Sequence, residues 1–381
     1  MARSLLLAGT VAAAGSAPPG PAVAGLAAVS PGSGPAELTG ISRGAAGGSA
    51  SGVDAGGVAI ALLQAAIPPV AAARAPGPFS PATLTPSIVS GLRWRSGASA
   101  DAAFAAWRGR ALDVRVVFVQ HDSFREMEAK LAGRDFRTNV AQTPQAVVSL
   151  AMLPRDRPRQ HAACAAGAFD SQYRLFGSLL ARAGAGRAIV RLGWEANAGS
   201  DSHPWGIDNM AEVPAYVACF RREVAALKTT APGIRIEWTN AKRGSFPVSE
   251  LLAYPGDDVV DVWGVHYYDT GPRKTTQVLW DHYNMATQFG GPWGLGAWLR
   301  EAQARGKKLA VPEWGVWDNG EPAPADNPLY IENMYRFFSL NAESIEYENY
   351  YNRNSAHQLH PATRFDAARA LYQQLWSGGR R

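Results

Sequence analysis

The stretch Ala188-Ile-Val-Arg-Leu-Gly-Trp-Glu-Ala-Asn197 passes from a short apolar run to polar and aromatic residues. Its first part, Ala188 to Gly193, has the length and composition of a buried β-strand. Glu195 therefore lies where a strand ends and a loop begins. A similar change occurs at Val311-Pro-Glu-Trp-Gly315, which places Glu313 directly after a second predicted strand.

Short apolar or β-branched runs alternate with amphipathic stretches along the rest of the chain, a pattern typical of parallel strands joined by helices. The predicted strands are Ile88 to Arg93, Asp113 to Val119, Ala146 to Met152, Ala188 to Gly193, Ile234 to Trp238, Val259 to Val265, Lys308 to Pro312 and Ile345 to Tyr350. The predicted helices are Ala100 to Trp107, Phe124 to Ala132, Phe169 to Ala183, Val213 to Lys228, Ser249 to Ala253, Leu295 to Ala304, Pro328 to Leu340 and Phe365 to Trp376.

Eight strand and helix repeats predict an α/β protein of the (β/α)8 type, a TIM barrel, with residues 76–381 as its single domain. An open doubly wound sheet is the alternative, because neither strand order nor closure can be read from one sequence. In a barrel the reactive groups lie on the loops that follow the strands, since those loops share one face. Glu195 and Glu313 are therefore expected on the same rim.

Residues 1–75 have a different composition, rich in Ala, Gly, Ser, Pro and Val and without aromatic residues. Such a segment cannot build a packed core, and we expect a disordered leader. Arg3, the apolar stretch Ser4 to Ala14 and the small residues after it are typical of a signal peptide, which predicts a secreted or periplasmic protein. The alternative is a leader without a targeting role. A second apolar run, Val58 to Ala73, contains two prolines and is a poor membrane span.

The chain has a formal net charge of +5, but its 37 Lys and Arg residues are scattered. We therefore expect no nucleic-acid partner. The two cysteines, Cys164 and Cys219, favour a disulfide in an exported protein, with two buried free thiols as the alternative. Metal-ligand spacings, a nucleophile elbow and a phosphate-binding glycine loop are not found in the sequence, so neither a metal nor a cofactor is expected.

Two carboxylates that face each other across a cleft are what cleavage of a glycosidic bond requires. One protonates the departing oxygen, and the other attacks the anomeric carbon or activates water. An acid at a strand end can also simply cap a helix or pair with an arginine. Because two such acids occur at corresponding positions, each with a tryptophan neighbour, we favour the catalytic interpretation for Glu195 and Glu313.

The spacing Arg-x-x-x-Glu-x-Asn at Arg191, Glu195 and Asn197 resembles the strand-4 motif of glycoside hydrolase family 26. That family belongs to a clan of retaining barrel enzymes, and the similarity extends over roughly residues 80–376. The resemblance implies that Glu195 is the acid/base and Glu313 the nucleophile. It also implies that Tyr268, in Gly264-Val-His-Tyr-Tyr-Asp269, donates a hydrogen bond to the nucleophile.

Two positions depart from the family pattern, which usually has His before the acid/base and Asp in the later motif. This chain has Trp194 and His266 there. The departures affect the family assignment and any mannan or xylan specificity more than the clan and mechanism. We expect Trp194 and a nearby anionic partner to raise the pKa of Glu195, Tyr268 and Arg191 to keep Glu313 ionised, and Asn197 to bind a sugar hydroxyl.

Aromatic rings commonly pack against sugar rings. The tryptophans predicted in loops are candidate walls of sugar subsites, and packing is their alternative role: Trp205, Trp280, Trp293 and Trp317. Those inside elements are expected in the core: Trp263, Trp298 and Trp376. Other polar residues after strands can line the cleft, although an ordinary loop role is the stronger expectation for each: His121, Asp122, Asn240, Lys242, Asp318, Asn352 and Arg353.

The sequence thus predicts a retaining glycoside hydrolase that acts on an internal β-linkage of a poly- or oligosaccharide. A catalytically silent glycan-binding barrel is a competing hypothesis, in which the aromatic loops bind sugar but the acids are misplaced. A transglycosylase or exopolysaccharide-processing enzyme is another, and it uses the same two acids.

Overall fold

The computed structural model describes residues 92–377 apart from positions 100, 101, 243, 245, 247, 248, 354 and 355. The predicted leader and signal peptide lie outside the described residues. Within the described part, eight parallel strands close into a barrel in the order β1-β8-β7-β6-β5-β4-β3-β2. The strands are Ser96–Ala98 (β1), Val114–Phe118 (β2), Gln145–Leu150 (β3), Ile189–Leu192 (β4), Arg235–Ala241 (β5), Val262–Tyr268 (β6), Lys308–Gly315 (β7) and Ile345–Tyr350 (β8).

Helices surround the barrel: Ala102–Arg108 (α1), Phe124–Ala132 (α2), Arg134–Ala141 (α3), His161–Ala165 (α4), Asp170–Arg182 (α5), Val213–Thr230 (α6), Gln277–Asn284 (α7), Leu295–Ala304 (α8), Pro328–Leu340 (α9) and Asp366–Trp376 (α10). A 3-10 helix, Glu250–Ala253, takes the place of a longer helix after β5, and Thr287–Gln288 pairs with Gly291–Pro292 in a small hairpin. Closure of the sheet confirms the predicted barrel and excludes the doubly wound alternative.

The first strand of the barrel lies later in the chain than predicted. It is Ser96–Ala98, whereas Ile88 to Arg93 was expected; residues 88–91 of that prediction lie outside the described residues, and residues 92–95 are not strand. The three residues of β1 are small and do not form the apolar run that indicates a buried strand. Close packing against the neighbouring strands explains why they are small. A Cβ atom on Gly97 would lie 2.6 Å from the carbonyl oxygen of Val114 and 2.8 Å from Oδ1 of Asn349. A larger residue would therefore push β1 away from its neighbours.

The barrel has an apolar filling and an apolar outer layer. A small cluster of strand side chains forms one core: Val114, Val116, Val147, Ile189, Val262, Ala310 and Tyr347. A much larger core lies between the strands and the helices, and it contains the three tryptophans predicted to be buried, Trp263, Trp298 and Trp376. Two packed layers around one sheet hold the strand ends rigidly, which a site with fixed geometry requires.

Strands β6 and β7 pair with a register shift between Gly264 and His266, after which His266 is opposite Glu313 and Tyr268 is opposite Gly315. Such an irregularity redirects side chains, and bulges are frequent beside active sites. Both strands extend further than the sequence predicted, so Glu313, His266 and Tyr268 lie within strands. Their backbones are fixed by sheet hydrogen bonds.

Cys164 and Cys219 form a disulfide that joins α4 to α6, which confirms the predicted pairing. Both residues are buried. Among the described residues, the helices lack the combination of length and apolarity needed to cross a bilayer.

Candidate active site

Glu195 follows β4 in a left-handed backbone conformation, with φ 54° and ψ 35°. This region is unfavourable for residues other than glycine, so the surroundings must hold it. The amide of Glu195 donates to the carbonyl of Thr239 at 2.8 Å, which ties the turn to β5. Gly193, two residues earlier, also has a positive φ, and a Cβ there would lie 2.4 Å from Met152. The tight turn brings the Glu195 side chain over the end of the barrel.

Glu313, near the end of β7, has a different set of partners. Nη1 of Arg191 lies 2.8 Å from Oε1 of Glu313, and the hydroxyl of Tyr268 donates to Oε2 at 2.9 Å. Arg191 is fully buried and also donates to the hydroxyl of Ser149. Burial and the nearby Glu313 and Glu195 raise the pKa of Tyr268, so its hydroxyl stays a donor. A cation and a neutral donor thus contact the two oxygens of one carboxylate.

His266 lies between the two glutamates. Its Nδ1 is 2.8 Å from Oε1 of Glu195, and its Nε2 is 3.4 Å from Oε1 of Glu313. Nη1 of Arg191 is also in hydrogen-bond contact with Nε2. One buried imidazole ring thus spans the two acids, which come from strands on different sides of the barrel.

Both oxygens of Glu195 contact imidazoles, because Nε2 of His203 lies 3.3 Å from Oε2. Burial raises the pKa of Glu195, but His266 and His203 outweigh this effect and hold that pKa below its ordinary value. The prediction that Trp194 and an anionic neighbour raise this pKa was therefore wrong. The indole of Trp194 instead lies over the guanidinium of Arg191, at 5.4 Å from ring centre to Cζ.

The acids open into a cavity of about 440 Å³, which is within the usual range for small-molecule sites. The cavity is lined by Glu195, Ala241, Lys242, His266, Tyr268, Thr270, Gly271, Glu313, Trp317, Tyr351 and His357. Tyr268 is at the centre of an aromatic wall, with ring centres 5.4 Å from Trp317, 5.9 Å from Tyr351 and 4.8 Å from His357. A wall of this kind can pack against a sugar ring.

Several predicted binding residues have other positions. Asn197 is buried, and its amide exchanges two 2.9 Å hydrogen bonds with the backbone of Ala241, so it pins the loop after β4 to the end of β5. Trp205 is fully buried, donates to the carbonyl of Trp194 and stacks on His203 at 4.8 Å. Neither is among the described residues that line the cavity. Trp205 instead supports His203, whose imidazole contacts Glu195.

Trp280 and Trp293 were candidates for subsite walls, and only Trp317 of the loop tryptophans reaches the cavity. Trp280 is buried on α7 against Tyr267 and Tyr330. Trp293 is half-buried beside the small hairpin, with its ring 5.2 Å from that of Tyr283.

Of the other polar residues predicted after strands, only Lys242 lines the cavity among the described residues. Lys242 donates to the carbonyls of Tyr268 and Thr270, while burial and the neighbouring Lys274 lower its pKa. The remaining ones contact other parts of the protein within the described residues. Asp122 pairs with Arg155, Asp318 pairs with Arg364, His121 packs on Trp194 and Trp205, Arg353 lies over Phe118, Asn240 is buried, and Asn352 holds the backbone of Leu359 and His360.

Sequence reasoning missed His203, Tyr351 and His357. His203 lies in the loop after β4, and its only signal in the sequence was its position two residues before Trp205. Tyr351 and His357 lie in the loop after β8, where the sequence analysis singled out only Asn352 and Arg353. Among the described residues, the group with metal-ligand geometry is Cys164, Cys219 and Glu223, but its sulfurs are joined in the disulfide and cannot act as thiolates.

The fold is that of family 26 glycoside hydrolase structures. GH26C from Muricauda sp. MAR_2010_75 is 16% identical with a TM-score of 0.50, and the match covers 69% of this chain and 79% of that one. The catalytic domain of an endo-β-1,4-mannanase from Bacillus sp. JAMB-750 is 13% identical with a TM-score of 0.51, covering 75% of this chain and 87% of that one. No protein-family model and no curated protein matches the chain.

The structural similarity agrees with the resemblance found in the motif around Arg191, Glu195 and Asn197. At these identities the similarity establishes the fold alone. Any activity must therefore be inferred from the residues of the site itself.

Proposed function

We propose that the protein is a retaining glycoside hydrolase that cleaves β-linked bonds in a poly- or oligosaccharide. Glu313 is the nucleophile and Glu195 the acid/base. The observation that supports this most is the convergence of two carboxylates from β4 and β7 on one imidazole at an aromatic-walled cavity. Two acids about a sugar's anomeric centre are the minimum that this chemistry requires.

The two acids are in environments suited to different roles. Arg191 and Tyr268 contact the two oxygens of Glu313 and fix the orientation of this carboxylate, as a nucleophile needs. Among the described residues, the side chains that hydrogen-bond to Glu195 are the imidazoles of His266 and His203. A carboxyl group in such a setting can alternate between its two protonation states during a cycle.

The test is a screen of the purified full-length chain against β-linked mannans, xylans and glucans, with products identified by mass. A retaining enzyme releases the β-anomer first, which proton NMR of early products detects. Glu313→Gln is the matched control, since it preserves shape but removes the nucleophile. We expect no products from the variant and unchanged glycan binding. Products formed by Glu313→Gln at the native rate would refute the assignment.

A glycan-binding barrel without turnover is the competing proposal. It is supported by the lowered pKa of Glu195, because a group that stays ionised cannot protonate a leaving group. This alternative predicts equal glycan affinity and no products for the native chain and the Glu313→Gln variant.

We also propose that the protein is exported to the periplasm or the cell exterior. The Cys164–Cys219 disulfide supports this, because such bonds persist mainly in oxidising compartments. Cell fractionation with N-terminal sequencing of the mature chain tests the proposal. An intact N-terminus in the cytosolic fraction would contradict it.

A further inference from the structure

His266 contacts both proposed catalytic glutamates but has neither of their roles. It is 2% exposed, and its ring is held between Glu195 on one side and Glu313 with Arg191 on the other. A titratable ring at this position affects the site's chemistry through the proton it carries. The first question is therefore which ring nitrogen bears that proton.

The contact with Arg191 determines which ring nitrogen of His266 carries the proton. A guanidinium has only donors, so the nitrogen that contacts Nη1 of Arg191 must offer a lone pair. That nitrogen is Nε2 of His266. In the neutral ring the proton is then on Nδ1, which donates to Oε1 of Glu195 at 2.8 Å.

Charged and titratable groups face His266 from three strands, namely Arg191 and the adjoining Glu195 from β4, Glu237 from β5 and Glu313 from β7. Burial raises the pKa of Glu237, although Arg191, Thr239 and Tyr347 act against this rise. Its oxygens accept from Thr239 at 2.5 Å and from Tyr347 at 2.6 Å. Glu195 is the acid that contacts Nδ1.

This proposal rests on the proposed function. We infer that His266 is a positioning residue whose Nδ1–H holds Glu195 ionised and thereby sets the pH at which Glu195 takes up the proton for the leaving group. A donor on a carboxylate stabilises its charged form. Glu195 must consequently be protonated at a lower pH than it would be without the imidazole. This hydrogen bond tunes the site towards acidic conditions.

The test uses the pH profile of kcat/KM, whose alkaline limb reports the acid of the free enzyme. His266→Leu removes the donor, so we expect the alkaline limb to move to higher pH by about one unit or more. His266→Asn keeps an N–H near the position of Nδ1 and cannot titrate, so its limb should stay close to the native position. An unmoved limb in His266→Leu overturns the inference, and so does an equal shift in both variants.

Tyr268→Phe is the matched control. It removes a hydrogen bond from Glu313 and leaves the contacts of Glu195 in place. We expect a lower rate with an unmoved alkaline limb. If His266 had a purely structural role, His266→Leu would likewise show a lower rate with an unmoved alkaline limb. A moved limb in His266→Leu therefore distinguishes the positioning role from a structural one.

A measurement that needs no turnover distinguishes failure of this inference from failure of the proposed function. Nitrogen-15 NMR of histidine-labelled full-length protein identifies the protonated ring nitrogen, with His266→Asn used to assign the signal. We expect the Nδ1–H form at neutral pH and a changed Nδ1 signal in Glu195→Gln. An Nε2–H or doubly protonated ring refutes the inference even if the enzyme is active. The expected tautomer without any glycan turnover supports the hydrogen bond and refutes only the hydrolase.

Discussion

Glu313 and Glu348 are buried carboxylates on the neighbouring strands β7 and β8, yet their surroundings have little in common. Glu313 contacts a guanidinium and a phenol and lines a cavity. Glu348 is fully enclosed, and indole N–H groups of Trp94, Trp314 and Trp376 donate to it. Burial raises the pKa of Glu348, although hydrogen bonds from Ser96, Trp376 and Trp314 and the charge of Arg108 act against the rise.

The environments of Glu313 and Glu348 are reached from adjacent residues of β7, Glu313 and Trp314. Side chains alternate along a strand, so Glu313 points to the cavity while the adjacent Trp314 points to the helical layer and donates to Glu348 at 2.6 Å. Burial of an acid is therefore no sign of function by itself. The informative features are a cationic partner and access to a cavity.

The largest expected effect separates these two acids by activity. Glu313→Gln should lower kcat by about 10³-fold or more, because a nucleophile has no substitute within the site. Glu348→Gln should keep activity within a few-fold, since Glu348 has no contact with the cavity. Rates on a substrate identified by the glycan screen, with circular dichroism to verify folding, test this contrast. Similar losses in both variants would remove the distinction.

The next effect concerns Glu195. Glu195→Ala should lower the rate by about 10²- to 10⁴-fold on substrates that need acid assistance. On an aryl glycoside with a good leaving group, azide should restore part of the rate by attacking the glycosyl intermediate. The expected product is the β-glycosyl azide, identified by mass and NMR. A folded variant that azide does not accelerate would count against the acid/base role.

A smaller effect is expected in stability. Glu348→Gln should lower the free energy of unfolding by about 1–3 kcal/mol, because an amide NH2 then faces an indole N–H where an oxygen had accepted. Urea unfolding measures the change. Glu332→Gln, on the exposed side of α9, is the control and should change little. Equal stability of Glu348→Gln and the native chain would show that the indole donors find other acceptors.

The smallest effect distinguishes carboxylates by pH. Burial raises the pKa of Glu223, which lies beside the disulfide. Its contribution to stability is therefore present below the ordinary carboxyl pKa and is lost as the pH rises through the raised value. Glu223→Gln removes this loss and should stabilise the protein by about 1 kcal/mol at pH 8.

The same variant should show little gain at pH 4, where the native side chain is protonated. Urea unfolding at both pH values tests this, and an equal gain at both would refute the protonation argument. The contribution of Glu195 to stability has the opposite dependence on pH. Its pKa is lowered, so its contribution is present above the ordinary value and is lost as the pH falls through the folded value.

The sequence predicted the parts of this protein that depend on local pattern. Apolar runs located seven of the eight strands, and the positions of Glu195 and Glu313 at strand ends predicted their common rim. The first strand was misplaced because Ser96, Gly97 and Ala98 are small for reasons of packing between neighbours distant in sequence.

The contacts within the site depend on tertiary structure and could not be read in advance. Asn197 matched the motif, but its amide is used by the backbone of Ala241. The expected influence of Trp194 on Glu195 failed because the indole packs on Arg191, while His203 reaches Glu195 from the loop. Side-chain direction after a turn is set by packing partners, which a linear pattern does not specify.

The disulfide between Cys164 and Cys219 joins residues 55 positions apart, and Glu195, His203 and the whole of β4 lie on the chain between them. The segment that carries the proposed acid/base is thus a closed covalent ring. A ring cannot pass through a pore that admits only a single extended strand. Any such passage must therefore precede formation of the Cys164–Cys219 bond. A chain that has crossed such a pore and contains this disulfide was oxidised after the crossing.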